Sequence, residues 1–167
     1  ASFSGEWDKK RLREISDITM GQSPSSKNYT DDPNELVLIQ GNADLKNGKV
    51  VPRLFTKEIT KLSYPDDIIF TVRAPVGGVA INKYEAVIGR GVCSISANLF
   101  LYYWLDYRNI TNYWIRFSSG STFDSINSTD LKNIEVKIPS IYEQEKIGEL
   151  FEVLDACLED QAAYVET

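Results

Sequence analysis

Apolar residues along this chain fall in short clusters until its C-terminal end, where they take up one long period. Residues 36–39 and 68–72 are largely apolar runs with the length of buried strands, and the second is the strongest in the sequence. Tyr64-Pro65-Asp66-Asp67 feeds that second run as a turn, and Arg73-Ala74-Pro75 ends it, so residues 76–81 are expected to return as a hairpin partner. Residues 86–88 and 92–95 read as two further strands on either side of Gly89-Arg90-Gly91. Asn47-Gly48 signals a tight turn ahead of a short strand at Val50-Val51. Residues 134–138 alternate apolar and charged side chains, as a half-buried strand does. Residues 99–105, with Tyr102, Tyr103 and Trp104, are apolar on both faces and predict a central strand. Short helices are expected within residues 7–18 and 109–117, and one or two helical turns at residues 56–62.

The long period begins after Pro139. Ser140-Ile141-Tyr142-Glu143 has the spacing of a capping box, in which the hydroxyl and the carboxylate each take an orphan backbone N–H. Beyond it, Ile147, Phe151, Leu154, Leu158 and Val165 follow alternating four- and three-residue steps, with Gln161 in the one polar slot. That is the narrow seam of a helix that pairs with another helix, and no C-cap glycine ends it. The alternative is that the seam packs back on its own domain. The pattern as a whole predicts an α/β (α+β) body over residues 1–139, with short helices around a twisted mixed sheet. A long helix of coiled-coil type over residues 140–167 completes it, with no internal repeat, low-complexity tract or second domain.

Charge sharpens the division. The net charge of −6 resides in the helix, because residues 140–167 carry eight acids and one lysine whereas residues 1–139 carry sixteen acids and seventeen bases. Such a body can still bind phosphates if its bases gather on one face. Residues 19–29 form a Gly-, Ser- and Pro-rich loop that lacks the Gly-Lys-Ser/Thr ending of a phosphate cradle. Its Gln22, Ser23, Ser25, Lys27, Asn28 and Tyr29 nonetheless offer donors and acceptors, either to a ligand or simply to solvent.

Catalytic constellations are scarce. The chain has no histidine, which removes the commonest general base, the usual triads and most zinc sites. Pro65-Asp66 with Glu135-Val136-Lys137 holds the residue types of a metal-dependent nuclease, but the two parts lie too far apart for the usual hairpin arrangement. Asp32-Pro33-Asn34-Glu35 is not the Asn/Asp-Pro-Pro-aromatic tetrapeptide of an adenine methyltransferase. Cys93 and Cys157 have no partners at metal-ligand spacing and read as reduced core residues of a cytoplasmic protein. No apolar run reaches membrane-spanning length, no signal peptide is visible, and the chain opens on Ala1 rather than Met, as an excised or processed piece would.

Gly120-Ser121-Thr122-Phe123, Ile126-Asn127, Asp130-Leu131, a short strand, Pro139, Glu143-Gln144-Glu145-Lys146-Ile147 and Leu154-Asp155 follow one another in an order that resembles the specificity subunit of type I restriction–modification enzymes. In that family a target recognition domain is followed by a conserved spacer helix. Trp7 to Gly21 with Pro24 is similar to the family's domain opening, Asp67 to Gly77 to its middle strand, and Ile88-Gly89-Arg90-Gly91 to a further segment. The resemblance covers nearly the whole chain, and the order of four segments carries it rather than any one of them.

The resemblance implies a non-catalytic module that reads one half of a split double-stranded DNA target, mostly through loops. Its spacer helix would pair with a second spacer helix. Methyltransferase subunits, which use S-adenosylmethionine, and restriction (motor) subunits, which use ATP and Mg, would be its partners, and no cofactor would be bound by this chain. The usual subunit has two recognition domains and two spacer helices. This chain has one of each, as an excised half or a half-subunit that homodimerises would. A protein-only adaptor or decoy acting through its helix is the competing reading. On the DNA-reading expectation the contacts fall to Lys27, Tyr29, Arg73, Arg90 and Arg116, with Ser119, Ser121 and Thr122 for phosphates or base edges. The plainer alternatives are ion pairs of Arg73 and Arg90 with Asp66 or Glu85, and a turn at Gly120 with Phe123 in the core.

Overall fold

The computed structural model describes residues 5–117 and 125–165, with the side chains of residues 116, 117 and 162–165 outside the description. Strand β1 (Asp8–Arg11) runs into a single helical turn, α1 (Leu12–Ile15), and then β2 (Asp17–Met20). After a 3-10 turn at Ser26–Asn28 come β3 (Tyr29–Thr30) and β4 (Leu36–Ile39). A second 3-10 turn at Asn42–Asp44 precedes β5 (Leu45–Lys46), β6 (Lys49–Val50), β7 (Phe55–Thr56) and β8 (Leu62–Ser63). Next are β9 (Ile68–Thr71), β10 (Val79–Ile81), β11 (Ala86–Ile88) and β12 (Val92–Ser96). The chain then turns helical in α2 (Leu99–Ile110), a 3-10 turn at Tyr113–Phe117 and α3 (Ser128–Lys132), before β13 (Glu135–Ile138) and α4 (Ile141–Val165).

Two mixed sheets and a ribbon result, rather than the one sheet expected. The larger sheet has the order β2-β12-β9-β10-β6-β5, the second β3-β7-β4-β11-β8, and β1 pairs with β13 alone. Strand β9 lies inside the larger sheet and alternates between two cores. Ile68 and Phe70 face a core shared with Leu101, Leu105 and Trp114 of the helical layer, and Cys93 and Ile95 join them there. Ile69 faces the opposite way, into a core with Val37, Ile39, Ala86 and Ile88 of the second sheet. The body is therefore sheet on sheet on helices, and β9 is out of water on both faces.

The apolar run at residues 99–105 is a helix, not a strand. Asn98 caps it by accepting the Leu101 N–H on its side chain, and Ser96 ends the preceding strand. The run is apolar all round because α2 lies between the sheet and α4: Leu101 and Leu105 face the core, whereas Tyr103 stacks on Phe151 of α4 with ring centres 5.2 Å apart. Residues 109–117 split between the end of α2 and a 3-10 turn, with Asn112 at a positive φ of 56° between them. Residues 56–62 hold no helical turn: Thr56 and Leu62 are strand residues with bends between. The short helix expected within residues 7–18 forms at α1, and residues 8–11 before it are strand because β13 from the far end of the body pairs with them. The hairpin at Asn47-Gly48 forms as expected, both residues having positive φ.

Helix α4 starts on the predicted capping box, Ser140 N–H donating to Glu143 (3.3 Å) and Glu143 N–H to the Ser140 hydroxyl (3.4 Å). Its first turns lie against α2, with Asn98 donating to Gln144 (2.9 Å) and the Tyr103 hydroxyl to Asp155 (3.0 Å). Burial and that bond to Asp155 push the Tyr103 hydroxyl above its ordinary pKa. Lys49 of the β5–β6 hairpin pairs with Glu159 at 2.7 Å. Gln144, Gly148, Asp155 and Glu159 thus form the edge turned to the body, and the Ile147-Phe151-Leu154-Leu158 seam lies about a quarter turn away. Cys157 is exposed on this helix, not in a core, whereas Cys93 is buried.

Gly148 lets the two helices touch. A Cβ there would lie 2.9 Å from the Cβ of Leu99 and 3.2 Å from the Phe100 nitrogen. Gly148→Ala would ordinarily stabilise a helix interior by about 1 kcal/mol. Here it should instead lower the melting temperature, the overpacking costing about 1–3 kcal/mol. A thermal melt of the two proteins checks the sign.

Candidate nucleic-acid interface

Strand directions bring four chain reversals to one end of the sandwich. Met20 pairs with Cys93, Thr71 with Val92, Val79 with Phe70 and Ile88 with Ile39, so β2, β4, β9 and β11 finish where β10 and β12 begin. The reversals are laced together by their backbones. Gln22 N–H donates to the Ile88 carbonyl (2.9 Å), Gly89 N–H to Ile39 (2.8 Å), and Val72 N–H to Gly91 (2.9 Å). The Arg90 N–H reaches the Ser23 hydroxyl at 3.0 Å. Such lacing needs glycine: a Cβ on Gly21 would sit 2.1 Å from the Gly89 oxygen, and one on Gly91 2.1 Å from the Gln40 oxygen.

Arg73 and Arg90 follow directly from this. The Val72 to Gly91 bond is the last between their two chain segments, so the next residue of each leaves the sheet from an adjacent position. Both side chains are exposed, and among the described residues neither makes an ion pair. The expected alternative does not occur, because Asp66 pairs with Lys83 at 2.6 Å. Two arginines that leave adjacent backbone positions, neither in an ion pair among the described residues, offer a place for an anion.

The acids of these loops are already engaged. Asp44 is buried and accepts the Gln40 and Gly41 N–H groups on Oδ2 (2.7 and 3.1 Å), while Oδ1 faces Arg53 Nε at 3.2 Å. Glu58 accepts the Asn28 side chain (2.6 Å) and the Ser25 N–H (2.8 Å). Those two bonds hold its carboxyl below the usual range, and the Lys27 charge adds to the effect.

Lys27 is exposed on the 3-10 turn at the far end of the residue 21–28 loop, beside the second sheet's edge strand. Tyr29, on that edge strand, is half-buried, and its hydroxyl donates to the Pro24 carbonyl at 3.3 Å. Ser119, Ser121 and Thr122 lie outside the described residues, as do Gly120, Phe123 and the side chain of Arg116. The chain returns beside Arg73, where Ser125 makes an isolated bridge to it. Gln40 and Asn42 were missed as candidates, although their signal was present. The strands ending at Met20, Ile39 and Ile88 are each followed within two residues by glycine beside a polar side chain.

A second surface lies between α2 and α4. Ile147, Phe151, Leu154 and Leu158 form one wall of a groove of about 850 Å³, and Trp7, Phe100 and Trp104 stand on the other side. Arg108 stacks there on Trp104 and Tyr113, 4.9 and 4.6 Å from the ring centres. Phe151, Leu154 and Leu158 remain 44%, 47% and 63% exposed, so the body covers the seam only in part, at half-buried Ile147 and where Phe151 meets Tyr103. The side chain of Val165 lies outside the description. The nuclease candidates do not form a site: Asp66 sits in a turn, and Glu135 and Lys137 are exposed on the β1–β13 ribbon. Among the described residues no group of three acids, cysteines or histidines is placed to hold a metal.

The family model of the type I restriction modification DNA specificity domain matches residues 4–163. The chain belongs to this family. A putative type I restriction enzyme specificity subunit of Methanocaldococcus jannaschii is 32% identical over 85% of the chain, and a second specificity subunit of that organism is 27% identical over 93%. The chain spans 34% and 39% of the length of these two relatives. Among solved structures, a chain from a study of complex assembly and conformational transition in a type I R-M system superimposes with a TM-score of 0.81 at 31% identity. It matches 99% of this chain and 43% of that one. The HsdS subunit of Thermoanaerobacter tengcongensis gives 0.75 at 29% identity, over 99% and 40%. The M. genitalium S subunit, at 22% identity and a TM-score of 0.69, shares the fold. This α+β fold, with its mixed sheets and C-terminal helix, matches the first two of these structures over 99% of the chain. No described helix is long and apolar enough to cross a membrane.

If Arg73 and Arg90 are free for a ligand, they contribute little to folding. Arg73→Ala and Arg90→Ala should change the unfolding free energy by less than about 0.5 kcal/mol. Asp44→Ala leaves two N–H groups and Arg53 without their acceptor and should cost about 2–3 kcal/mol. Denaturant melts of the three variants distinguish the two classes.

Proposed function

We propose that residues 1–139 read one half of a bipartite DNA target, as the recognition module of a type I restriction–modification specificity subunit. The observation that carries this is the pair Arg73 and Arg90, which leave adjacent backbone positions and make no ion pair among the described residues. Gln22, Ser23, Gln40 and Asn42 lie in the loops at the same end of the sandwich. Arginine is suited both to phosphate and to the O6/N7 edge of guanine. The net charge of −6 does not oppose the reading, since the excess acid lies on the helix. Membership of the DNA specificity domain family supports this over a protein-only adaptor or decoy.

In this reading α4 carries no DNA contact. Its largely exposed seam takes a second spacer helix, from the same subunit or from a second copy, and so sets the distance between two recognition modules. The methyltransferase and restriction subunits, with their S-adenosylmethionine, ATP and Mg, perform the chemistry, and this chain binds no cofactor and catalyses nothing. The cytoplasm is where such an assembly meets its DNA.

The test uses the complete specificity subunit carrying this chain, assembled with its methyltransferase subunits. Arg73→Ala, Arg90→Ala and Lys27→Ala should each flatten the slope of log K against log salt by about 0.9 for every phosphate contact removed. An unchanged slope for all three would refute the assignment of the DNA face. Leu154→Asp and Leu158→Asp should abolish helix pairing, read by size-exclusion chromatography with light scattering, without changing the fold of the body.

A further inference from the structure

We propose that the Gln40-Gly41-Asn42 turn after β4 is a base-reading element whose amide side chains, Gln40 and Asn42, recognise adenine in the major groove, with Asp44 as its positioning residue. The inference rests on the DNA-reading function above and adds to it the residues and the base. Half of the twelve amide side chains of the body are bound within the protein, among them Asn28 to Glu58, Asn82 to the Tyr84 carbonyl, Asn98 to Gln144 and Asn133 to the Thr129 carbonyl, and of the other half three gather in one place. Gln40 and Asn42, and Gln22 beside them, make no side-chain hydrogen bond among the described residues, and all three are at the end of the sandwich that carries Arg73 and Arg90.

The turn is also held more firmly than a surface loop needs. One buried carboxylate oxygen takes both the Gln40 and the Gly41 N–H, and Arg53 neutralises its other side. Gly91 packs directly under Gln40, where a Cβ would strike the Gln40 carbonyl, and Asn42 Oδ1 lies 2.8 Å from where a Cβ on Gly78 would be. A fixed backbone carrying free amides avoids the ordering cost of binding. An Asn or Gln amide offers one donor and one acceptor side by side, the complement of adenine N7 and the N6 amino group, whereas guanine presents two acceptors there. Arg73 and Arg90 would then hold the phosphates or a guanine on the flank.

The experiment selects binders from a pool of duplexes with a randomised half-site, using the complete specificity subunit in its assembly with the methyltransferase subunits. Wild type should enrich a half-site with at least one A·T pair. Gln40→Ala or Asn42→Ala should lower the preference for that pair by roughly tenfold at one or two positions and leave the other positions unchanged. Asp44→Asn, which keeps an acceptor for both N–H groups, should retain the wild-type preference. Asp44→Ala should broaden it at the same positions as the amide variants. An even loss of affinity across all sequences, or an unaltered preference in both amide variants, would overturn the base-reading assignment while leaving the DNA-reading function intact. If the wild-type assembly enriches no sequence, the DNA-reading function fails and this inference with it.

Discussion

The dryness of β9 on both faces constrains everything else in this fold. A strand with Ile68 and Phe70 on one side and Ile69 on the other can be buried only if it is roofed twice, and the chain supplies a second sheet for one face and α2 for the other. Full burial of such side chains is worth about 1.5–3 kcal/mol each, so the layers are fixed relative to this strand. With β9 fixed, its antiparallel neighbours β10 and β12 must reverse at its C-terminal end. The loops of the second sheet arrive at the same end because Gly89, Arg90 and Gly91 join β11 directly to β12. The placement of Arg73 beside Arg90 is thus a consequence of core packing, not of any attraction between them.

The same economy separates two surfaces with different chemistry. The loop end is polar, cationic and tightly braced, its acids taken up by backbone N–H groups. Two acids of α4 reach the body, Asp155 to Tyr103 and Glu159 to Lys49, while its apolar seam stays largely exposed beside the α2 groove. A helix whose apolar seam remains largely in solvent beside a groove is arranged for a partner.

Local patterns were enough wherever a residue's partners were near in sequence. The capping box of Ser140 and Glu143, the Asn47-Gly48 hairpin, the turn at Tyr64–Asp67 and the strands at residues 36–39, 68–71, 79–81, 86–88 and 92–96 could all be read in this way. Where the reading failed, a distant partner decided. Asp8–Arg11 is a strand because Glu135–Ile138 lies beside it, more than a hundred residues on. Leu99–Ile110 is apolar all round because α4 covers one side and the sheet the other, a pattern that a two-sided strand also shows. Ser128–Lys132 forms a helix that the apolar pattern did not announce, although the Asn127 side chain caps it by accepting the Asp130 N–H.

For the candidate site the division is similar. The amino-acid sequence by itself determined the family, the cationic loop residues and the absence of histidine chemistry, because these depend on residue identity and order. It also placed the acid excess on the helix. The tertiary structure alone decided that Arg73 and Arg90 emerge together while Lys27 lies at the far end of its loop. It decided too that Tyr29 braces Pro24 and that Gln40 and Asn42 belong to the same face. Those facts depend on which strands neighbour which and in what register, and nothing in a short stretch of sequence encodes a register with a strand thirty or fifty residues away.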